Sequence, residues 1–258
     1  MPLTARTPDR GATLSTDGLV IREFNGVGEA DRFITVLTRD KGVIRAAVRG
    51  ARRIKSRSGS GSGLLCFSRF CLTEGRDMYI ATDVKPIEIF FELRNDMEKT
   101  ALAGYFCELA SALAPADEPA DEALRLLLNA LHFLKDGTRP LPLLKAVVEW
   151  RLLSLAGYMP RLDGCATCGR QTDTMYFSTL HGQLYCDSCP RPETVPLPSG
   201  TLTAIRRVCT GDLTACFSFT LPEKTLTPFC QSAEMFLKAQ LGRSFKTLDF
   251  YHQVGAMP

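Results

Sequence analysis

Residues 42–73 read Gly42-Val-Ile-Arg-Ala-Ala-Val48, then Arg49-Gly-Ala-Arg-Arg-Ile-Lys-Ser-Arg-Ser-Gly-Ser-Gly-Ser-Gly63, then Leu64-Leu-Cys-Phe-Ser-Arg-Phe-Cys-Leu-Thr73. Two runs rich in apolar and β-branched residues flank a connection that is basic in its first half and a Ser/Gly repeat in its second. The neighbouring chain repeats the strand pattern. Further runs lie at Leu19–Phe24, Arg32–Thr38 and Met78–Val84, separated by turn chemistry at Asn25-Gly-Val-Gly28, Arg39-Asp-Lys-Gly42 and Glu74-Gly-Arg-Asp77. Five short strands within the first 84 residues predict a small barrel, because closing the sheet on itself removes the edges that an open sheet would expose. Ser/Gly composition predicts a flexible coil for the long connection, and loops of this length in compact domains are functional or disordered. A solvated loop with incidental charge is the competing reading. Five Lys/Arg between Arg49 and Arg57 with no acidic residue among them argue against it.

Charge separates the chain in the same place. The net charge of +3 is modest, but residues 1–80 hold 14 Lys/Arg against 8 Asp/Glu, a net of +6, while residues 81–258 hold 17 against 20, a net of −3. From Lys41 to Leu72 there are eight basic residues and no acidic one. Such asymmetry points to nucleic acid or another anionic partner. At 258 residues the chain suits two domains. A hydrophobic content of 45% argues against disorder, and no uncharged apolar run approaches the roughly 18 residues of a membrane span. The segment Met1–Ser15 carries Arg6, Asp9 and Arg10 and no apolar core of the kind a secretory signal needs, so a cytoplasmic protein is expected.

After Pro86, read as closing the β region, the period becomes helical. Met97, Leu102, Tyr105, Phe106, Leu109 and Leu113 recur at i, i+3, i+4 spacing and predict a helix over 95–113 with these residues facing a core. Asp121-Glu122 suit the first turn of a second helix ending near Lys135, and Pro142 opens a third through Trp150 to about Gly157. Two more helical segments fall at 199–208 and 227–241.

Cys165-Ala-Thr-Cys168 and Cys186-Asp-Ser-Cys189 form two C-x2-C pairs separated by 17 residues. That spacing predicts a four-cysteine zinc site: each pair offers two thiolates from one tight knuckle, and the hairpin between them, Met175–Ser178 and Gln183–Tyr185, brings the pairs together. Two redox dithiols are the alternative, but the β-α-β setting of a thioredoxin-type pair is absent. His181 reads as a turn residue. Four cysteine ligands leave no open position, so the zinc, one per chain, is expected to be structural. The other cysteines, among them Cys107, Cys209 and Cys216, are expected to pack as small apolar residues. With no nucleophile–base pair and no phosphate loop, the chain reads as a non-enzyme.

In its wording the sequence resembles the RecO family of recombination mediators. The resemblance rests on Gly28-Glu-Ala-Asp-Arg32, Val36-Leu-Thr-Arg39, Gly42-Val43, Val48-Arg-Gly-Ala-Arg-Arg53, Glu149-Trp-Arg-Leu-Leu153, Ala156-Gly-Tyr-Met-Pro160 and Cys165-x-x-Cys168-Gly-Arg170, in this order over most of the chain. It implies an OB-fold over residues 1–84 and an all-α domain over 85–258 with an inserted four-cysteine zinc finger at 163–192. It also implies binding of single- and double-stranded DNA, annealing of complementary strands, and action with RecR to load RecA onto strands coated by single-stranded-DNA-binding protein (SSB). The Ser58–Gly63 repeat and an N-terminal extension of about a dozen residues depart from the family pattern. On this reading Arg45, Arg49, Arg52, Arg53, Lys55 and Arg57 contact the DNA backbone, and the helical domain takes the acidic C-terminal tail of SSB. A zinc-ribbon transcriptional regulator is the alternative, but it would need a base-reading helix beside the basic patch. Of Phe24, Phe33, Phe67, Phe70 and Tyr79, most are expected in the barrel core and one or two outside it.

Overall fold

A computed structural model describes residues 13–25, 30–53, 56, 58–189 and 192–256. Gly26–Gly28 of the predicted turn and most of the Met1–Ser15 segment lie outside these residues. The chain divides into two compact units: the residues through Phe90 with Ala116–Asp121, and Phe91–Pro115 with the residues from Glu122 onward.

The first unit is a closed barrel of β1 (Thr13–Asn25), β2 (Arg32–Thr38), β3 (Gly42–Val48), β4 (Cys66–Glu74) and β5 (Tyr79–Ile89), in the order β1-β2-β3-β5-β4. All neighbours are antiparallel except β3 and β5, which run parallel over Ala46–Val48. This closed, OB-like barrel is what the strand count required. Its interior is filled by Val20, Ile34, Val36, Ile44, Ala46, Val48, Phe70, Leu72 and Val84, the alternate residues that a pleated strand sends to one face.

Two expectations about this unit need correction. Pro86 does not end the β region: β5 continues to Ile89, with Pro86 opposite Ser68 at a register shift. Pairing with β3 stops at Ala81, so Pro86 has a ladder neighbour on one side only and its missing N–H costs little. The Ser/Gly repeat is not a free coil either. Ser60–Ser62 form a 3-10 turn in which Gly61 and Ser62 are buried. Arg32 donates to Gly59 O (3.0 Å) and Ser62 Oγ (3.1 Å), Ser68 Oγ donates to Gly61 O (2.7 Å), and Leu64 N donates to Glu23 Oε2 (3.0 Å). A Cβ on Gly61 would stand 3.0 Å from Ser68 Oγ and from Val84 Cγ1. The glycine is there because a backbone packs against strands, and the satisfied polar groups make its burial tolerable.

The second unit contains helices α1 (Met97–Leu113), α2 (Asp121–Asp136, whose first residue belongs to the barrel unit), α3 (Leu141–Leu155), α4 (Ser199–Thr210), α5 (Leu213–Cys216), α6 (Glu223–Leu241) and α7 (Lys246–Gly255). Helix α1 starts at Met97 and not Asn95, because Asp96 is its N-cap, accepting from Lys99 N at 3.0 Å. Met97, predicted to face the core, is 61% exposed. It occupies the first turn, before the packed stretch from Ala101 to Leu113. Inserted between α3 and α4 is a four-stranded sheet of β6 (Arg161–Cys165), β7 (Thr174–Ser178), β8 (Gln183–Tyr185) and β9 (Val195–Pro198), ordered β6-β8-β7-β9. Its Phe177 joins Trp150 of α3 and Phe236 of α6 in one aromatic cluster, with ring centroids 5.3 to 5.9 Å apart. All three rings are buried. The small sheet and the helices therefore share a core.

The helical unit also holds a buried chain of charges. Lys145 Nζ, almost fully buried, is 2.9 Å from Glu149 Oε1 and 2.8 Å from Glu234 Oε2, and Tyr105 Oη donates to Glu149 Oε1 at 2.7 Å. Glu149 Oε2 has no partner among the described residues. Burial works to discharge Lys145, but the two carboxylates outweigh it and keep the ammonium charged. Burial likewise opposes the Glu234 carboxylate, yet Lys145 and Lys238 hold it down to about 2.

Candidate nucleic-acid face and metal centre

Alternation on β3 sends Ile44, Ala46 and Val48 into the barrel and leaves Arg45 exposed. Arg49, Arg52 and Arg53 follow in the turn leaving the strand, and all three are exposed. The turn is built. Gly50, at φ 65°, donates its N–H to Asp31 Oδ1 (2.8 Å), Arg52 N donates to Ala30 O (3.0 Å), and Arg53 N donates to Gly50 O (3.1 Å). Only a residue tolerant of the left-handed region fits at position 50. Among the described residues none of these four arginines has an ion-pair partner, so their charge is free for a ligand. Lys55 and Arg57 lie outside the described residues. Arg69, also in the basic stretch, is committed elsewhere: it forms a two-pronged contact with Asp17 (2.7 and 3.1 Å). Through these hydrogen bonds it holds the Asp17 carboxyl below the usual range.

The aromatic side chains sort differently from the simplest alternation. Phe70 is wholly buried, and Tyr79 packs against the core. Phe24 and Phe33 face out. Strict alternation from Val20, which points inward, would put Arg22 and Phe24 inside the barrel. A β-bulge between Val20 and Arg22 inserts Ile21 and resets the phase, so that Arg22 pairs with Thr35 and Phe24 with Phe33, both on the outer face of β2. No turn residue or proline marks that bulge in the sequence.

The four predicted metal ligands come together. Sγ atoms of Cys165, Cys168, Cys186 and Cys189 all lie within 4.8 Å of one another, and among the described residues no other such group of His, Cys, Asp or Glu exists. Four thiolates at about 2.3 Å from a tetrahedral centre stand about 3.8 Å apart; Cys168 and Cys186 are separated by 3.7 Å. The knuckle geometry explains the residues around it. Gly169, at φ 74°, donates to Cys165 O (2.8 Å), and Cys165 N donates to Arg170 O (2.9 Å). A Cβ on Gly164 would stand 2.5 Å from Gly169 O, so the close approach requires glycine at 164, while the left-handed φ favours it at 169. Burial opposes ionisation of Cys165, but amide N–H groups at Cys168, Cys186 and Thr167 outweigh it and bring the thiol down to about 6. The cluster can hold a metal ion. His181 is not part of it: Nδ1 sits 3.0 Å from Ser178 Oγ in the hairpin turn. Cys107, Cys209 and Cys216 are buried, as expected of packing residues, while Cys71 and Cys230 are half-buried.

An OB-like barrel whose exposed arginines on one strand and its following turn have no acidic partner among the described residues, in one chain with a helical unit carrying a four-cysteine knuckle, has the parts of a nucleic-acid-binding protein. Comparison with known proteins agrees. The model for the recombination protein O N-terminal region matches residues 12–90, and that for the C-terminal region matches residues 94–249. A DNA repair protein RecO from Acetivibrio thermocellus is 36% identical over 241 residues, covering 92% of this chain and 95% of its own length. Those from Symbiobacterium thermophilum and Anaeromyxobacter sp. are 31% and 33% identical, each covering 93% of this chain and 96% of its own length. The chain belongs to the RecO family of DNA repair proteins. Among the described residues no helix is long and apolar enough to cross a membrane.

Proposed function

We propose that the chain is a non-enzymatic recombination mediator of the bacterial cytoplasm, associated with the nucleoid. It binds single- and double-stranded DNA, anneals complementary strands and, with RecR, helps RecA onto single strands coated by SSB. The observation that carries this reading is the set Arg45, Arg49, Arg52 and Arg53, exposed and without acidic partners among the described residues, on β3 of the barrel and the turn that follows it. Together with Lys55 and Arg57 they contact phosphates, and each contact releases condensed counterions whatever the base sequence. Annealing follows from the same physics. Cations that neutralise two polyanions lower their repulsion, and no bond is made or broken.

The metal is zinc, one per chain, on Cys165, Cys168, Cys186 and Cys189. A closed thiolate tetrahedron favours zinc and leaves no position for substrate, so the ion holds the knuckle's shape. The helical unit, in the acidic part of the chain, is assigned to protein partners: RecR and the C-terminal tail of SSB. RecA is reached indirectly. A regulator that reads duplex sequence with a helix is disfavoured, because the free arginines sit on a strand and a turn.

Strand annealing on SSB-coated complementary oligonucleotides, with metal content measured on the same sample, tests the reading. The expected result is accelerated annealing by protein carrying about one zinc per chain. Binding confined to one duplex sequence, or a metal-free protein with reversibly titrating dithiols, would overturn it.

A further inference from the structure

We infer that Ser56 is a phosphorylation site for a serine/threonine kinase that selects its substrates by arginine, and that the phosphate switches off DNA binding by occupying the arginines of the neighbouring turn. The inference rests on the DNA-binding reading above and names a regulation of that same site.

Serines stand at positions 56, 58, 60 and 62 of the long connection, and the fold sorts them. Ser62 is buried, and its hydroxyl is engaged by Arg32 and by Gly59 O. Ser56 is half-exposed, and among the described residues its hydroxyl has no hydrogen-bond partner. Its backbone is fixed all the same. Ser56 N donates to Arg53 O at 2.9 Å, one step after Arg53 N donates to Gly50 O at 3.1 Å. A Cβ on Gly59 would stand 2.5 Å from Ala51 O and 3.4 Å from Ser56 Cβ, so glycine at 59 lets the chain fold back against the arginine turn. Among the described residues Ser58 and Ser60 have no backbone bond to that turn. Ser56 is the serine held beside the arginines with a hydroxyl to spare.

Two properties meet at this position. Arg53 precedes Ser56 by three residues and Arg52 by four, and both are exposed without an acidic partner among the described residues. A kinase with an acidic substrate groove chooses serines by such a charge pattern. The transfer is simple: the Ser56 Oγ–P bond forms as the bond between the γ-phosphorus of a nucleoside triphosphate and its bridging oxygen breaks, the hydroxyl proton is released, and the nucleoside diphosphate leaves. The same arginines then receive the product. Residues joined by an i to i+3 backbone bond have Cα atoms less than about 7 Å apart, within the span of an arginine side chain. A phosphoserine carries about −1.5 to −2 charges and three acceptor oxygens, and beside arginines it forms charge-assisted hydrogen bonds. Those bonds are the ones a DNA phosphate would make. The phosphate on the chain and the phosphates of DNA therefore compete for one set of cations.

The full chain with phosphoserine installed at position 56 during translation tests the switch. It is expected to bind a labelled duplex about 10- to 100-fold more weakly than the unmodified chain, with the slope of log affinity against log salt shallower by about 2. Phosphatase treatment should restore both values, and Ser56→Ala should bind like the wild type. Phosphoserine at Ser244, an exposed residue of the helical unit, should leave affinity within about 2-fold, which separates a local effect from net charge. Peptide mass spectrometry of the chain isolated from its own cells, before and after DNA damage, should find the phosphate at Ser56. Its absence there in both samples, full-strength duplex binding by the phosphorylated chain, or equal weakening by phosphate at 56 and 244 would overturn the inference while leaving the arginine site standing. An unmodified chain that binds no duplex would overturn the DNA-binding reading itself and the switch with it.

Discussion

Replacing Cys165 and Cys168 together by Ser is expected to abolish metal binding and to loosen the helical core as well as the knuckle. Structural zinc sites contribute apparent binding energies of about 10–16 kcal/mol in isolated finger peptides, comparable with the whole stability of a typical domain. The knuckle here is tied to the helices through Phe177, which packs against Trp150 at 5.9 Å and Phe236 at 5.3 Å. Losing even about 4 kcal/mol of the metal's contribution would lower the melting temperature by about 10 °C. Trp150 reports the event directly, because it is the only tryptophan in the chain and is fully buried. Its emission should shift to the red in the double variant, and in the wild type on treatment with a strong zinc chelator. A metal-free protein with four reduced thiols and an unshifted Trp150 spectrum would refute a structural metal.

The second large effect is expected at Lys145. Lys145→Ala leaves Glu149, wholly buried, and Glu234 without the ammonium between them. Removing one member of a buried charge network costs about 3–5 kcal/mol, since the desolvated partner charge stays behind. Lys145→Met keeps most of the volume and should be nearly as damaging, which separates charge from packing. Adding Glu149→Gln to Lys145→Met should recover part of the loss. The pH dependence gives an independent check. In the wild type Glu234 is held down to about 2. A carboxyl depressed in the folded state contributes stability above its ordinary range and loses it as pH falls from about 5 towards that value. At Glu149 the sign is opposite already in the wild type, where burial outweighs Lys145 and holds the carboxyl above its ordinary range. With its cation gone in Lys145→Ala, burial raises the carboxyl further, so the variant should be less destabilised at mildly acidic pH than at pH 7. Urea unfolding at the two pH values measures this. A variant as stable as wild type at pH 7 would contradict the network's role.

Much of this architecture is written locally. The cysteine site is legible because each C-x2-C pair forms one knuckle and the hairpin between them declares itself within 17 residues. The helices are legible where apolar period and caps agree, as at Asp121–Asp136. What escapes is non-local. Nothing in Leu19–Phe24 announces the bulge that turns Arg22 and Phe24 outside, because that phase is set by pairing with β2. The Ser/Gly repeat has the composition of a coil, yet Arg32, Glu23 and Ser68, distant in sequence, supply the hydrogen bonds that fix it. Trp150 and Phe177 fall in separate predicted elements, a helix and a hairpin, and only the fold shows that they share one core. The last helix, Lys246–Gly255, escapes for a different reason. It contributes only Leu248, Tyr251 and Val254 to the interior, too few for a strong period.

On the proposed function, the arginines of β3 and its following turn, which have no acidic partner among the described residues, hold the phosphate backbone of DNA. The slope of log affinity against log salt tests it most directly, measured for the wild type and for Arg49→Ala/Arg52→Ala/Arg53→Ala on the same duplex. Each lost phosphate contact should make the slope shallower by about 0.9, so the triple variant should bind more weakly with a slope reduced by about 2 to 3. An unchanged slope in a folded triple variant would contradict the account.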